Sequence, residues 1–183
     1  MTKYVALLRG INVGGNKLIK MADLREVFES ARFKNVRTYI QSGNVIFESA
    51  DTDDQAIVRK IEKKIYQALG HEVTVILRTV AELKASVKAG PFKNIESGED
   101  VMLFVTFMAS APIKEPRLPF MIAKENAEIL AIKNRAAFIV CRRKKNGMFS
   151  FPNAFFEKEL GVSSTTRNWR TVYKILELAA KNL

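Results

Sequence analysis

YVALLRGINVGGNK, from Tyr4 to Lys17, joins an apolar run to a glycine-rich polar loop. Tyr4-Val5-Ala6-Leu7-Leu8 is a short apolar run, which predicts a buried strand. The run passes straight into a loop carrying Gly10, Gly14 and Gly15 beside Arg9, Asn12, Asn16 and Lys17. Glycine suits places where the backbone needs a positive φ or where another group must come close. A shaped polar loop at the end of a core strand is therefore expected, with an amphipathic pattern beginning at Met21.

Downstream, Leu24, Val27, Phe28 and Ala31 recur at helical spacing and predict a helix over Met21–Ala31. Val36–Gln41 and Asn44–Glu48 read as short strands joined by a tight turn at Ser42-Gly43. Thr52 and Gln55 have the spacing of a capping box, with Asp53 and Asp54 favoured by the helix dipole. The helix they open buries Ile57, Ile61, Ile65 and Leu69, and Gly70 supplies its stop. Glu72–Arg78 reads as a strand. The order strand, helix, strand, strand, helix, strand is that of a ferredoxin-like, split βαβ unit with an antiparallel sheet. In that arrangement Ser42-Gly43-Asn44 is expected at the sheet end opposite the glycine loop.

The second half reads similarly. Thr79 and Glu82 form another capping box, opening a helix that ends before Gly90-Pro91. Phe92–Asp100 reads as a linker and Val101–Met108 as a strand. Pro112, Pro116 and Pro119 limit the next stretch to a short helix at most. Glu128–Lys133 and Ala136–Arg142 make a hairpin turning at Asn134-Arg135. Asn153–Leu160 is helical up to Gly161, and Val172, Ile175, Leu176 and Ala179 mark a final helix. The fold class is thus α+β, two linked ferredoxin-like subdomains with antiparallel sheets plus an extra C-terminal helix. The expected boundaries are 1–78 and 79–183, and element order alone makes the second a degraded copy of the first.

Three stretches together, ALLRGINVGG at Ala6–Gly15, YIQSGNVIF at Tyr39–Phe47 and FFEKELGVSSTTRNW at Phe155–Trp169, resemble the bacterial domain-of-unknown-function family sixteen-ninety-seven. The resemblance covers nearly the whole chain and implies the two-subdomain α+β architecture. It implies no activity and no catalytic residues. The chain departs from the family's pattern at Arg32, where members carry glycine after the first helix, and across Lys144–Pro152.

Composition bounds the function. The 183 residues are 48% hydrophobic, enough for a sizeable core, and no apolar run is long enough to span a bilayer. The N-terminus goes straight into a strand with no signal segment, and the single Cys141 fits a reducing cytoplasm. Thirty Lys plus Arg against 19 Asp plus Glu give a net charge of +11. Such a surplus favours a polyanionic partner, though lysine-rich helix faces also serve solubility.

The glycine loop (Arg9, Asn12, Gly14, Gly15, Asn16, Lys17) lacks the Lys-Ser/Thr pair of a P-loop and the GxGxxG pattern. It could hold an anion on a nest of N–H groups, or simply be a tight crossover in which Asn12 and Asn16 bond the backbone. Thr165, Thr166, Arg167, Asn168 and Arg170 read as a polar start to the last helix, which either caps it or holds an anion there. Arg142, Arg143, Lys144 and Lys145 form a basic run with Phe149 and Phe151 beyond it, a composition that can grip single-stranded nucleic acid or form a solvated turn. One histidine and one cysteine offer no zinc cluster and no Cys/His nucleophile pair, so neither metal nor cofactor is expected. The leading expectation is a cytoplasmic protein that binds an anionic partner such as nucleic acid. The alternatives are an enzyme on a small phosphorylated or carboxylated molecule, using Arg9, Asn12, Arg167 and Asn168 in an inter-subdomain cleft, and a protein whose motifs only maintain the fold.

Overall fold

The computed structural model describes residues 1–183 apart from Asn16, Ser97, Glu115, Phe151, Pro152, Asn182 and Leu183, and apart from the side chain of Asn153. The chain is mixed α+β, with two antiparallel sheets and five α-helices among the described residues. It divides into two compact units, one of Met1–Leu83 with Lys174–Leu183 and one of Lys84–Tyr173.

In the first unit the strands are β1 (Thr2–Leu8), β2 (Lys34–Tyr39), β3 (Asn44–Ser49) and β4 (Val75–Thr79), in the order β2-β3-β1-β4. Strand alternation puts Tyr4, Ala6, Leu8, Val45, Phe47, Val75 and Leu77 on one face. They pack against Leu24, Val27 and Phe28 of α1 (Met21–Ser30) and Ile57, Ile61 and Ile65 of α2 (Asp54–Leu69). Phe47 anchors this layer, its ring 4.5 Å from that of Phe33 and 5.3 Å from that of Phe28. On the other face Val5, Leu7, Ile46, Ile76 and Arg78 are buried as well, so β1 is buried on both faces from Tyr4 to Leu8. There Lys3 and Arg37 donate to the carbonyls of Ala179 and Leu178, near the end of the last helix, where cations suit the helix dipole.

The capping of α2 differs from the expectation. Its N-cap is Asp53, which accepts from Gln55 N at 2.9 Å and Ala56 N at 3.1 Å. Thr52 is not the cap, because the carboxylate one position later reaches the same free N–H groups with a stronger, charge-assisted bond. The second capping box forms as expected: Thr79 Oγ1 accepts from Glu82 N and Glu82 Oε2 from Thr79 N, opening α3 (Val80–Lys88).

The second unit holds β5 (Val101–Met108), β6 (Phe120–Ile122), β7 (Ala127–Lys133), β8 (Ala136–Arg142) and β9 (Ser164–Asn168), in the order β6-β7-β8-β5-β9. Phe104, Met108, Ile129, Ala137, Ile139 and Cys141 face Phe156 of α4 (Asn153–Lys158) and the adjoining Leu160 and Val162. On the opposite face Phe92, Phe138 and Trp169 meet edge to face. Asn134 and Arg135 both take positive φ at the β7–β8 turn, the backbone of a two-residue type I′ hairpin.

Two elements escaped the sequence reading. The proline stretch holds β6 and one 3-10 turn, Ala123–Glu125, where at most a short helix was expected. Thr165, Thr166 and Arg167 do not open a helix: they lie in β9, paired with Phe107, Thr106 and Val105. Only Asn168 caps the last helix α5 (Trp169–Ala180), accepting from Arg170 N at 2.9 Å. The polar sequence STTRN hides the strand because its own side chains are hydroxyls, a guanidinium and an amide, with no alternating aliphatics to mark it.

Candidate functional site

In the first unit, β1 pairs antiparallel with both β3 and β4, so the end of β1 meets the starts of both neighbours. This places Ser42-Gly43 beside the glycine loop, the reverse of the expectation: Leu8 N donates to Gly43 O at 2.8 Å. The expectation failed because the turn before β3 lies where β3 begins, and an antiparallel β3 begins where β1 ends. Gly43 is needed there, since a Cβ would fall 2.6 Å from Ile11 Cδ1 and 2.8 Å from Leu8 Cβ. Arg9 N donates to Thr74 O at 2.9 Å, tying in the segment before β4.

Asn12 holds the loop together. Its side chain donates to Ile19 O at 2.9 Å and Gln41 O at 2.8 Å, and accepts from Ile19 N at 2.8 Å. Lys17 Nζ donates to the carbonyl of Glu72. Gly14 and Gly15 take positive φ and are exposed, and a Cβ on either would meet nothing within 4 Å. Asn16 lies outside the described residues.

The second unit gathers its motifs at the opposite end of its own middle strand. Here β5 is antiparallel to β8 and β9, so the ends of both flank its start: Val101 faces Arg142 and Phe104 faces Asn168. Beside that start is a cleft of about 430 Å³. Val101, Met102, Leu103 and Trp169 give it an apolar lining, and Glu99, Arg143, Phe149, Asn168 and Arg170 supply a ring and polar or charged groups. The Arg143 guanidinium carbon lies 5.2 Å from the Phe149 ring centre, a cation–π arrangement.

Most of the basic run is engaged within the unit. Arg142 pairs with Glu128 at 3.3 Å, Arg143 with Asp100 at 2.8 Å and Lys144 with Glu125 at 3.2 Å. Arg143 also donates to the carbonyls of Glu99 and Gly147. Glu125 accepts from Ser150 as well, and this bond together with Lys144 lowers its pKa below the ordinary carboxylate value. Lys145 is exposed, and Phe151 lies outside the described residues.

Of the Thr165–Arg170 group, Arg167 is buried, donating to Thr165 Oγ1 at 2.7 Å and Thr166 O at 2.9 Å. Burial pushes its guanidinium down to about 10. Thr166 Oγ1 shares a 2.8 Å hydrogen bond with Thr106 Oγ1. The side chains that reach the cleft are thus Asn168 and Arg170, while Arg167 belongs to the interior. Arg9 and Asn12 lie in the first unit, Arg167 and Asn168 in the second. Sequence reasoning missed Met102 and Leu103, which look like ordinary strand residues until their place beside β9 is known.

The family described as Protein of unknown function (DUF1697) matches residues 1–138. The chain belongs to the DUF1697 family. The match spans all of β1–β7, so the glycine loop and the hairpin that closes on it lie within its matched region. No curated protein matches this DUF1697 chain. It is similar to the solved structure of conserved bacterial protein SP0830 from Streptococcus pneumoniae, with a TM-score of 0.64 and 23% identity, over 97% of this chain and 98% of that one. At that identity the likeness speaks for the fold alone. No described helix is long and apolar enough to cross a membrane.

Proposed function

We propose that the second unit binds an anionic partner, most directly single-stranded nucleic acid, in the cleft at the start of β5, and that it does so in the cytoplasm. The observation that carries this reading is the convergence of Arg143, Phe149 and Arg170 on one apolar-floored cleft. Single strands are held by a cationic groove with ring faces on which bases stack. Phe149 supplies a ring beside a guanidinium, Arg170 is exposed, and the first turn of α5 adds N–H groups whose dipole favours a phosphate. The cleft's volume is within the roughly 300–1,000 Å³ of ligand-sized sites. Trp169 serves as its wall: it packs edge to face against Phe92, Phe138 and Tyr173 and is mostly buried.

On the same footing, each unit is a ferredoxin-like split βαβ unit and the second a degraded copy of the first. The order β2-β3-β1-β4 corresponds strand for strand to β7-β8-β5-β9, with β6 added at the edge and the proline stretch in place of the first helix.

Fluorescence polarisation with labelled single- and double-stranded oligonucleotides, at low and near-physiological salt, tests the binding reading. Single-strand binding that persists near physiological salt is expected, with Arg170→Ala reducing the salt slope by about 0.7. Binding that vanishes with salt, or a slope unchanged in the variant, would overturn it.

A further inference from the structure

The glycine-loop end of the first unit carries three large aliphatic side chains in solvent: Val13 is 65% exposed, Leu18 69% and Ile40 46%. All three flank one hydrogen-bonded node. Val13 follows Asn12, Leu18 precedes the Ile19 that Asn12 bonds through both N and O, and Ile40 precedes the Gln41 whose carbonyl accepts from Asn12. The loops that present them are therefore fixed to one another before any partner arrives, which cuts the ordering cost of binding.

Ile40 sharpens the point. Its φ is +48°, a conformation that β-branched residues rarely adopt and that asparagine or glycine would take more cheaply. The chain holds a strained isoleucine outward where an unstrained polar residue would serve the turn better. The same loop carries Arg9, Lys17 and Lys20, and Lys17 Nζ donates to the carbonyl of Glu72.

We propose that this end of the first unit is a docking surface for an acidic, aliphatic-bearing segment of another protein. Charge complementarity selects an acidic partner and disfavours a second copy of a chain whose net charge is +11. A lipid surface fits less well, because Gly10, Gly14 and Gly15 of the same loop are exposed and their N–H and C=O groups would lose water in hydrocarbon. A protein segment can hydrogen-bond to that backbone. Nucleic acid is disfavoured because the three exposed side chains are aliphatic and offer no ring for base stacking.

The test uses the full chain, amide NMR shifts and a short amphipathic peptide of leucine and glutamate. A serine–glutamate peptide of equal charge and phosphatidylserine vesicles serve as the other two probes. The leucine–glutamate peptide should move amides in residues 9–15, 17–20 and 39–43 and bind about tenfold more tightly than the serine–glutamate peptide. The Val13→Ser/Leu18→Ser double variant should lose about tenfold in affinity for it. Ile40→Asn should also weaken binding while raising the melting temperature, a pairing that a packing residue would not give. No peptide binding, shifts elsewhere, or affinity unchanged in the double variant would overturn the proposal. So would vesicle binding that the same double variant abolishes, or a lowered melting temperature for Ile40→Asn with unaltered binding.

Discussion

The glycine loop of the first unit lies at the end of β1, whereas the cleft of the second unit lies at the start of β5. Each is gathered around a middle strand with an antiparallel neighbour on either side. At the end of β1 the polar groups are largely spent on the loop itself: Asn12 bonds Ile19 and Gln41, and the Leu8 and Arg9 amides bond Gly43 and Thr74. What remains outward includes the aliphatic Val13, Leu18 and Ile40. At the start of β5 side chains do the gathering, and a cleft remains with a ring, two arginines and a capped helix start. Glycine-rich polar sequence thus marks a place where the backbone is built into a rigid form. It does not by itself mark a place where polar groups await a ligand.

If that contrast is right, the largest effect comes from Gly43. Its φ of +75° and the 2.6 Å approach to Ile11 leave no room for a side chain. Gly43→Val should cost about 3 kcal/mol or more, from overpacking added to a left-handed backbone. Gly14→Ala and Gly15→Ala meet open space and should cost only about 1 kcal/mol each for their positive φ. Urea denaturation distinguishes these, and equal costs at all three sites would mean that the close approach at Gly43 adds nothing to its cost. Next comes Asn12→Ala, which strands Ile19 N and two carbonyls and should cost about 1–3 kcal/mol.

Much of this arrangement was legible in the sequence, and the parts that were not share a cause. Helix α1, strand β5 and the turn at Asn134-Arg135 each carry a local signal, whether period, apolar run or turn residue. The meeting of Gly43 with the glycine loop depends on the direction in which β3 runs beside β1, which no local pattern states. Strand β9 was hidden because Thr165 and Arg167 are buried through hydrogen bonds rather than as aliphatic residues. The pairing of the basic run was not legible, because Asp100, Glu125 and Glu128, which pair with Arg143, Lys144 and Arg142, are far from it in sequence.

A pH titration sharpens the second half of the contrast. Glu125 is held below its ordinary pKa of 4.5 by Ser150 and Lys144. The stability it contributes is therefore full above 4.5 and is lost as pH falls through the lower folded value. Glu125→Gln should be less stable at neutral pH, and the gap should close below pH 4.5 in acid denaturation followed by circular dichroism. The neighbouring Cys141 behaves oppositely. Burial, with Glu125 adding, pushes its thiol up from 9.0 to about 12. Its contribution is present below pH 9 and lost between 9 and 12. The native thiol should resist alkylation at pH 8 and react once the chain is unfolded.

The smallest expected effect has the opposite sign, at the end of α1. Arg32 N donates to Glu29 O and Phe33 N to Phe28 O, while the Phe28 and Phe33 rings lie 5.9 Å apart. Those two bonds and that apolar contact make a Schellman motif, with Arg32 at the left-handed position, φ +66°. Glycine belongs there, and arginine carries the steric cost of its Cβ. Arg32→Gly should stabilise the chain by up to about 0.5–1 kcal/mol, less whatever the added freedom of glycine in the unfolded chain returns. Arg32→Val should destabilise it, since a β-branched side chain fits that backbone worse than arginine does. Paired denaturation curves settle the sign. A glycine variant less stable than the arginine would mean that the Arg32 side chain contributes more at the surface than its backbone strain costs.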